Sequence, residues 1–213
     1  MKLNYDREME RIIRDSCAEP PRLLLNSCCG PCSSAVLERL CLHFYVTLYY
    51  DNPNIYPESE FLHRAAEQRR LLEQMTPAGK RVPMILAPWD SDVFFEAVRG
   101  LEAEPEGGAR CDKCFELRLS RCAQAAKRMG FDFFTSTLTV SPHKNAEKVN
   151  RAGFAAEARW GVKYLPSDFK KRGGYLRSLQ LSAQYELYRQ NYCGCVFSIR
   201  RPAEDDQDDT ERS

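Results

Sequence analysis

Arg22-Leu23-Leu24-Leu25-Asn26-Ser27-Cys28-Cys29-Gly30-Pro31-Cys32-Ser33-Ser34-Ala35 is the stretch from which the fold is read. Pro20-Pro21 breaks what precedes it, and Arg22 to Asn26 then reads as a short buried strand. A cysteine-rich turn follows at once, and a helical pattern runs from Ala35 to Leu42. Pro31 suits a first helical turn, where a missing N–H costs little. Outward from this unit the pattern repeats. A second strand is expected from Phe44 to Tyr50, closed by Asp51-Asn52-Pro53-Asn54, and then a polar helix from Glu58 to Met75 with Phe61, Leu62, Ala65, Leu71 and Leu72 as its apolar positions. Met84 to Ala87 is expected as a third strand, with Asp90 capping a short helix that ends at Val98. A Gly/Glu-rich loop from Gly100 to Arg110 leads to a helix from Asp112 to Met129, a stop at Gly130, and a fourth strand from Phe131 to Thr135. Helices are also expected over Asn145–Ala156 and Tyr175–Gln190, and Met1 to Cys17 reads as an amphipathic helix or arm with Met9, Ile12 and Ile13 on one side.

Strands alternating with helices define an α/β class, a parallel sheet flanked by helices on both faces. Ligands of such sheets sit beyond the carboxyl ends of the strands. Cys28 and Cys29 directly follow the first strand and so fall on that edge. Residues 1–202 are expected to form a single catalytic domain. The segment 203–213 has six acidic residues against Arg212 and reads as a disordered acidic tail. That tail hides a moderately basic body: the whole chain has a net charge of only +1, which excludes a binder that is basic throughout. The start has no apolar signal-peptide core, and the most apolar run, Leu40 to Tyr50, is interrupted by His43 and Thr47, so neither secretion nor a membrane span is expected. The expected location is cytoplasmic, where thiols stay reduced. The ten cysteines therefore point to metal or redox chemistry rather than disulfides.

Seven of those cysteines fall in three clusters: Cys28-Cys29-Gly30-Pro31-Cys32, Cys111-Asp112-Lys113-Cys114 and Cys193-Gly194-Cys195. One zinc takes four ligands, so seven is too many for one site and too few for two all-cysteine sites. An iron–sulfur cubane takes four thiolates, which leaves three for a second metal with an open, catalytic position. Adjacent side chains diverge in extended chain, so Cys28 and Cys29 are expected to serve neighbouring centres. On that reading the cubane takes Cys111, Cys114, one of Cys28 and Cys29, and one of Cys193 and Cys195. The other member of each pair, with Cys32, holds a separate iron. Cys17, Cys41 and Cys122 read as small buried hydrophobes. His43 and His63 read as structural, and His143, in a loop after the fourth strand, as a candidate functional residue.

An ordered set of motifs resembles the QueH family of epoxyqueuosine reductases. The set comprises Cys28-Cys29-Gly30-Pro31-Cys32, Tyr50-Asp51-Asn52-Pro53-Asn54-Ile55, Arg110-Cys111-x-x-Cys114-Phe115-x-x-Arg118-Leu119, Phe131-Asp132-x-Phe134-Thr135-Ser136-Thr137-Leu138, Ser141-Pro142-x-Lys144-Asn145, Asp168-Phe169-Lys170-Lys171-x-x-Gly174-Tyr175 and Tyr188-Arg189-Gln190-x-Tyr192-Cys193-Gly194-Cys195. It spans about Leu23 to Ile199. The resemblance implies reduction of the epoxycyclopentane of epoxyqueuosine to queuosine at the tRNA wobble position, with loss of water. It also implies a [4Fe-4S] cluster beside a mononuclear iron, no cobalamin, and an architecture resembling the adenine nucleotide alpha-hydrolase-like (HUP/PP-loop) fold. Some members of the family carry Asp where this chain has Cys32. Such a reduction needs two electrons, protons and a Lewis acid. Lys144, Tyr164 and Asp168 are proton-donor candidates by loop position. Lys144, Lys148, Arg151, Lys170, Lys171 and Arg172 are candidate phosphate contacts, and Tyr164, Phe169, Tyr175 and Tyr192 candidate stacking platforms for tRNA bases. No G-x-G-x-x-G follows a strand, so an external one-electron donor, ferredoxin- or flavodoxin-like, is the expected partner.

Three other readings compete. An iron–sulfur tRNA-modifying enzyme of ATP-pyrophosphatase ancestry would place S-G-G-x-D-S where this chain has Ser27 to Ser33. A relative of heterodisulfide reductase would space its C-C-G and C-x-x-C motifs more closely than Cys29 and Cys111. A zinc-stabilised RNA-binding module would hold zinc without sulfide.

Overall fold

The computed structural model describes residues 3–15 and 19–199. Cys17 and the acidic segment 203–213 lie outside the described residues. Five strands, β1 (Arg22–Asn26), β2 (Tyr45–Tyr50), β3 (Met84–Leu86), β4 (Phe133–Ser136) and β5 (Lys163–Tyr164), form one sheet in the order β3-β2-β1-β4-β5. All four pairings are parallel. The helices are α1 (Tyr5–Asp15), α2 (Gly30–Leu40), α3 (Glu58–Gln74), α4 (Asp92–Ala97), α5 (Ala109–Met129), α6 (Ala146–Trp160) and α7 (Gly174–Gln184). Among the described residues no helix is long and apolar enough to cross a membrane.

The central strand shows why its sequence is a continuous apolar run. Leu23 and Leu25 pack on one face with Val36, Leu37 and Leu40 of α2, Phe61 and Leu71 of α3, and Met9 of α1. Leu24 points the other way, into Phe115, Leu119 and Ala126 of α5 and Val149, Ala152 and Ala156 of α6. A strand buried on both faces has no polar side to alternate with. Cys41 joins the first of these cores and Cys122 the second, as expected of small hydrophobes.

Strand order reverses between β1 and β4. The chain leaves β1 toward β2 on one side and returns to β4 on the other, which opens a crevice beyond their carboxyl ends. The segments that leave this crevice, Ser27–Cys32 after β1 and Thr137–Lys144 after β4, carry motif residues identified above.

Several boundaries differ from expectation. Helix α2 starts at Gly30, not Ala35, so the cysteine motif is itself the helix start, with Cys29 as its N-cap residue and Pro31 in the first turn. Helix α5 starts at Ala109, which puts Cys111 and Cys114 on helix rather than at its edge. Asp90 is not a cap: Ser91 occupies that position, and the Asp90 carboxylate lies 3.6 Å from Arg121. Phe131 and Asp132 precede β4; the Phe131 N–H closes the end of α5 on Ala126 (2.9 Å), and the Asp132 carboxylate accepts from the Arg22 backbone N–H (2.8 Å). Asn145 caps α6 by accepting from the N–H groups of Glu147 and Lys148, and the helix continues to Trp160. Helix α7 ends at Gln184, well short of Gln190. Strand β5 is two residues long, too short to leave a periodic signal.

Helix α6 is seated on β5 through one glycine. A Cβ at Gly153 would lie 2.2 Å from Cζ of the buried Tyr164 ring. Overpacking of this kind costs about 1–3 kcal/mol. Gly153→Ala is expected to lower the urea unfolding free energy by that amount, and a Tyr164→Ala background is expected to abolish the penalty of the added methyl group.

Candidate metal centre and cavity

The site is built from the cysteine turn upward. Cys29 has extended backbone (φ −172°, ψ 162°) and the chain enters α2 directly after it. The Cys28 and Cys29 side chains do not diverge as expected: their Sγ atoms are 3.8 Å apart, because the entry into the helix turns both inward. Sγ atoms of Cys28, Cys29 and Cys32 all lie within 4.8 Å of one another. Two thiolates on one tetrahedral ion with metal–sulfur bonds of about 2.3 Å stand about 3.8 Å apart, so the spacing fits a shared metal.

Protonation argues the same way. Hydrogen bonds with Cys29 and Cys32, helped by the buried Arg118 and Arg64, hold the Cys28 thiol well below its usual range. Their contact with Cys28, together with burial, pushes Cys29 up to about 12 and Cys32 far up. One of three crowded thiols ionises at the expense of the others. All three are thiolates together only when a cation sits among them.

The other four thiols come from α5 and the C-terminal segment; Cys193 lines a cavity with Cys28 and Cys32, and the buried Arg118 interacts with Cys28, Cys114 and Cys193. Cys114 and Cys195 are buried with Phe94 and Val98, and Phe95, Leu117 and Phe197 pack against them. Burial pushes Cys114 up to about 12, and the charges of Cys193, Cys195 and Cys111 add to it. Cys111 Sγ accepts from the Gly107 N–H at 3.1 Å. Gly194 has φ 106°, and a Cβ there would stand 3.0 Å from both Arg64 Nη1 and Ile55 Cγ1. The residue between the two cysteines must therefore be glycine. All seven cysteines are free.

Three guanidinium groups are buried around these thiols. Arg118 Nη2 donates to Asn26 Oδ1 (2.9 Å) and Asn52 Oδ1 (2.7 Å), and Asn52 Nδ2 donates to the Ser27 carbonyl (2.8 Å), so α5, β1 and the end of β2 are tied under Cys28. Arg64 Nε bonds Glu60 (2.6 Å), its Nη1 reaches the Cys193 carbonyl (3.3 Å), and its guanidinium lies over the Tyr192 ring. Arg110 donates to the carbonyls of Glu102 and Glu104 and stacks on Phe197. Gln68 Oε1 accepts from Ser27 Oγ (2.9 Å) and Ser33 Oγ (2.8 Å), bracing the turn from α3.

A cavity of about 300 Å³ opens beside the thiols, lined among others by Cys28, Cys32, Arg118, Lys144, Tyr175, Gln190, Tyr192 and Cys193. Lys144 is 9% exposed, and its Nζ donates to Cys193 Sγ (3.1 Å) and Glu106 Oε1 (2.8 Å). Burial alone would lower its ammonium, but Cys193 and Glu106 hold it above its usual value. His143 also lines the cavity, whereas His63 packs edge-on against Tyr188.

Other candidates are placed elsewhere. Tyr164 is buried against Phe134 and Phe154 under α6 and does not line the cavity. Phe169 is 3% exposed, which leaves no ring face for a base. Asp168 pairs with Lys170 at 2.7 Å, and neither lines the cavity. Arg172 is held by Asp6 (2.9 Å) and Glu10 (3.7 Å) of α1, beside an exposed Lys171. Lys148 and Arg151 both face Asp112. Arg64, Gln68 and Glu106 were missed by the reading from sequence. The first two had a signal: Phe61, Arg64, Ala65, Gln68, Leu71 and Leu72 share the buried stripe of α3, so two polar residues sit where only apolar ones are expected. Leu62, taken as apolar face, is 52% exposed.

Residues 23–201 match the protein family described as "Epoxyqueuosine reductase QueH". Proteins of that name are similar to this chain in Staphylococcus epidermidis (44% identical, covering 94% of this chain and 86% of the relative), Streptococcus pyogenes (42%, 93% and 79%) and Thermotoga maritima (32%, 83% and 90%).

Replacing Arg118 by Met leaves two buried asparagine oxygens without their donor and removes a cation from the thiols. Breaking a buried charged network from one side costs about 3–5 kcal/mol. Arg118→Met is expected to lose stability on that scale in urea titrations and to retain less metal after anaerobic loading; an unchanged unfolding midpoint would contradict this account of the frame.

Proposed function

We propose, from the premise that this chain belongs to the QueH family of epoxyqueuosine reductases, that it converts the epoxide of epoxyqueuosine in tRNA to the alkene of queuosine. The observation that carries this reading is a trio of free thiols, Cys28, Cys29 and Cys32, within 4.8 Å of one another, with Cys28, Cys32 and Cys193 on the wall of a cavity that also holds a buried ammonium. The balance is one epoxide, two electrons and two protons to one alkene and one water.

The donor set fits a [4Fe-4S] cluster and an adjacent mononuclear iron. The close approach of Cys28, Cys29 and Cys32 supports these as the three-thiol set, over a split of Cys28 and Cys29 between two centres, which leaves Cys111, Cys114, Cys193 and Cys195 for the four-thiol set. When bound, such a pair of centres supplies single electrons and Lewis acidity. The protein's own residues do the rest. Lys144, protonated and pinned between Cys193 and Glu106, holds a proton at Nζ for the departing oxygen. Tyr175 and Tyr192 offer rings to the base at the cavity wall, and Arg189 and Lys171 offer charge for nearby phosphates. Of the earlier donor candidates only Lys144 faces this cavity. Cobalamin has no part in this reading. A ferredoxin- or flavodoxin-like protein delivers the electrons, and the setting is cytoplasmic.

Anaerobically purified protein, given a chemical reductant and epoxyqueuosine-bearing tRNA, is expected to yield queuosine, read by mass spectrometry of the digested nucleosides. It is also expected to hold more iron than the four atoms of a single cubane. Fully loaded protein that forms no alkene would overturn the reading.

Lys144→Gln is expected to slow alkene formation by about a hundredfold or more while iron and sulfide contents stay unchanged. Loss of metal together with rate would assign Lys144 to the frame instead.

A further inference from the structure

The cavity is lined by several cationic or basic groups, Arg118, Lys144, Arg189 and His143, and by a single carboxylate among the described residues, Glu106. Glu106 sits in the Gly/Glu-rich loop ahead of α5, and its side chain is 45% exposed. Oε1 takes the Lys144 ammonium, and Oε2 has no hydrogen bond among the described residues. Loop residues around it are anchored: Arg110 gathers the carbonyls of Glu102 and Glu104, and Lys148 holds that of Gly107 at 2.7 Å. The carboxylate is thus presented to the cavity by a braced loop.

The substrate of the proposed reaction joins its base to the epoxycyclopentane through a secondary amine, which is protonated at neutral pH. Apart from the cysteine sulfurs, which are committed to metal in the loaded protein, a cation entering this cavity meets one anionic side chain on its wall, Glu106. We propose that Glu106 is the specificity-determining residue, binding the secondary ammonium of epoxyqueuosine; the inference rests on the reaction proposed above. Amine and epoxide occupy neighbouring ring carbons, so nitrogen and oxygen stand three bonds, about 3 Å, apart. Glu106 and Lys144 are 2.8 Å apart. An ammonium on Glu106 therefore brings the epoxide oxygen to the Lys144 proton, and one ion pair recognises the substrate while its neighbour acts on it. A tRNA carrying unmodified guanosine has no ammonium to offer.

The test is equilibrium binding, without reductant, of anaerobically loaded protein to epoxyqueuosine-bearing tRNA and to the same tRNA with unmodified guanosine, at one fixed ionic strength. Wild type is expected to prefer the former by about tenfold or more, the worth of a charge-assisted hydrogen bond. Glu106→Gln is expected to bind both tRNAs alike, and Glu106→Asp, which keeps the charge, to retain most of the preference. A Glu106→Gln protein that still prefers the modified tRNA overturns the inference, as does a wild type without preference. Alkene formation by wild type, measured separately, tells whether the reaction itself stands.

Discussion

Gathering sulfur donors at one end of a sheet concentrates negative charge, because each donor is a thiolate when it holds metal. Buried charge is tolerated only when it is paired. The rest of this molecule is arranged around that constraint. Arg64, Arg110 and Arg118 are each 3% exposed or less, an unusual depth for arginine, and each takes hydrogen bonds to carbonyl, amide or carboxylate oxygens that fix its position. Arg118 matters most to the architecture. By joining Asn26 to Asn52 it locks the ends of the two central strands to α5, and that lock sets where Cys28 stands relative to Cys114.

The sheet order then decides what the thiols can face. Because β1 and β4 are neighbours with connections leaving in opposite directions, the turn after β1 and the loop after β4 border one crevice. The first brings Cys28 and Cys32, the second Lys144. The C-terminal segment closes the crevice with Gln190, Tyr192 and Cys193, and Gln190 Nε2 donates to Cys29 Sγ at 3.3 Å. Phe94, Val98, Phe95 and Phe197 keep the Cys114 and Cys195 side dry, while the Cys28 and Cys193 side opens on polar groups.

Much of this was legible in the chain. The strand Arg22–Asn26 matched to the residue, since a doubly buried strand bounded by proline and a cysteine turn has few other readings. The three cysteine clusters were plain from spacing, and the ordered motifs led to the family that the comparisons support. What stayed hidden was of two kinds. Where side chains point depends on where a helix begins, and a start at Gly30 instead of Ala35 turned the expected divergence of Cys28 and Cys29 into convergence. Burial decides whether a residue near a motif can act: Tyr164 and Phe169 sit among motif residues yet are sealed in the cores, while Glu106, in a loop with no motif of its own, reaches the cavity. Arg64 and Gln68 stood in view as polar interruptions of an apolar stripe, a pattern that marks a buried polar network.

The turn after β1 is suited to a cation rather than to a phosphate. A helix N-terminus at a sheet edge offers free N–H groups and a positive dipole end to any anion. Here Pro31 removes one N–H from the first turn, and Leu187 packs 3.6 Å from where a side chain at Gly30 would begin. The anions that the helix end favours are instead supplied by the chain itself, as the sulfur atoms of Cys28 and Cys29. A helix dipole lowers the cost of ionising thiols at its N-terminus, so the residues of this turn favour a cation there.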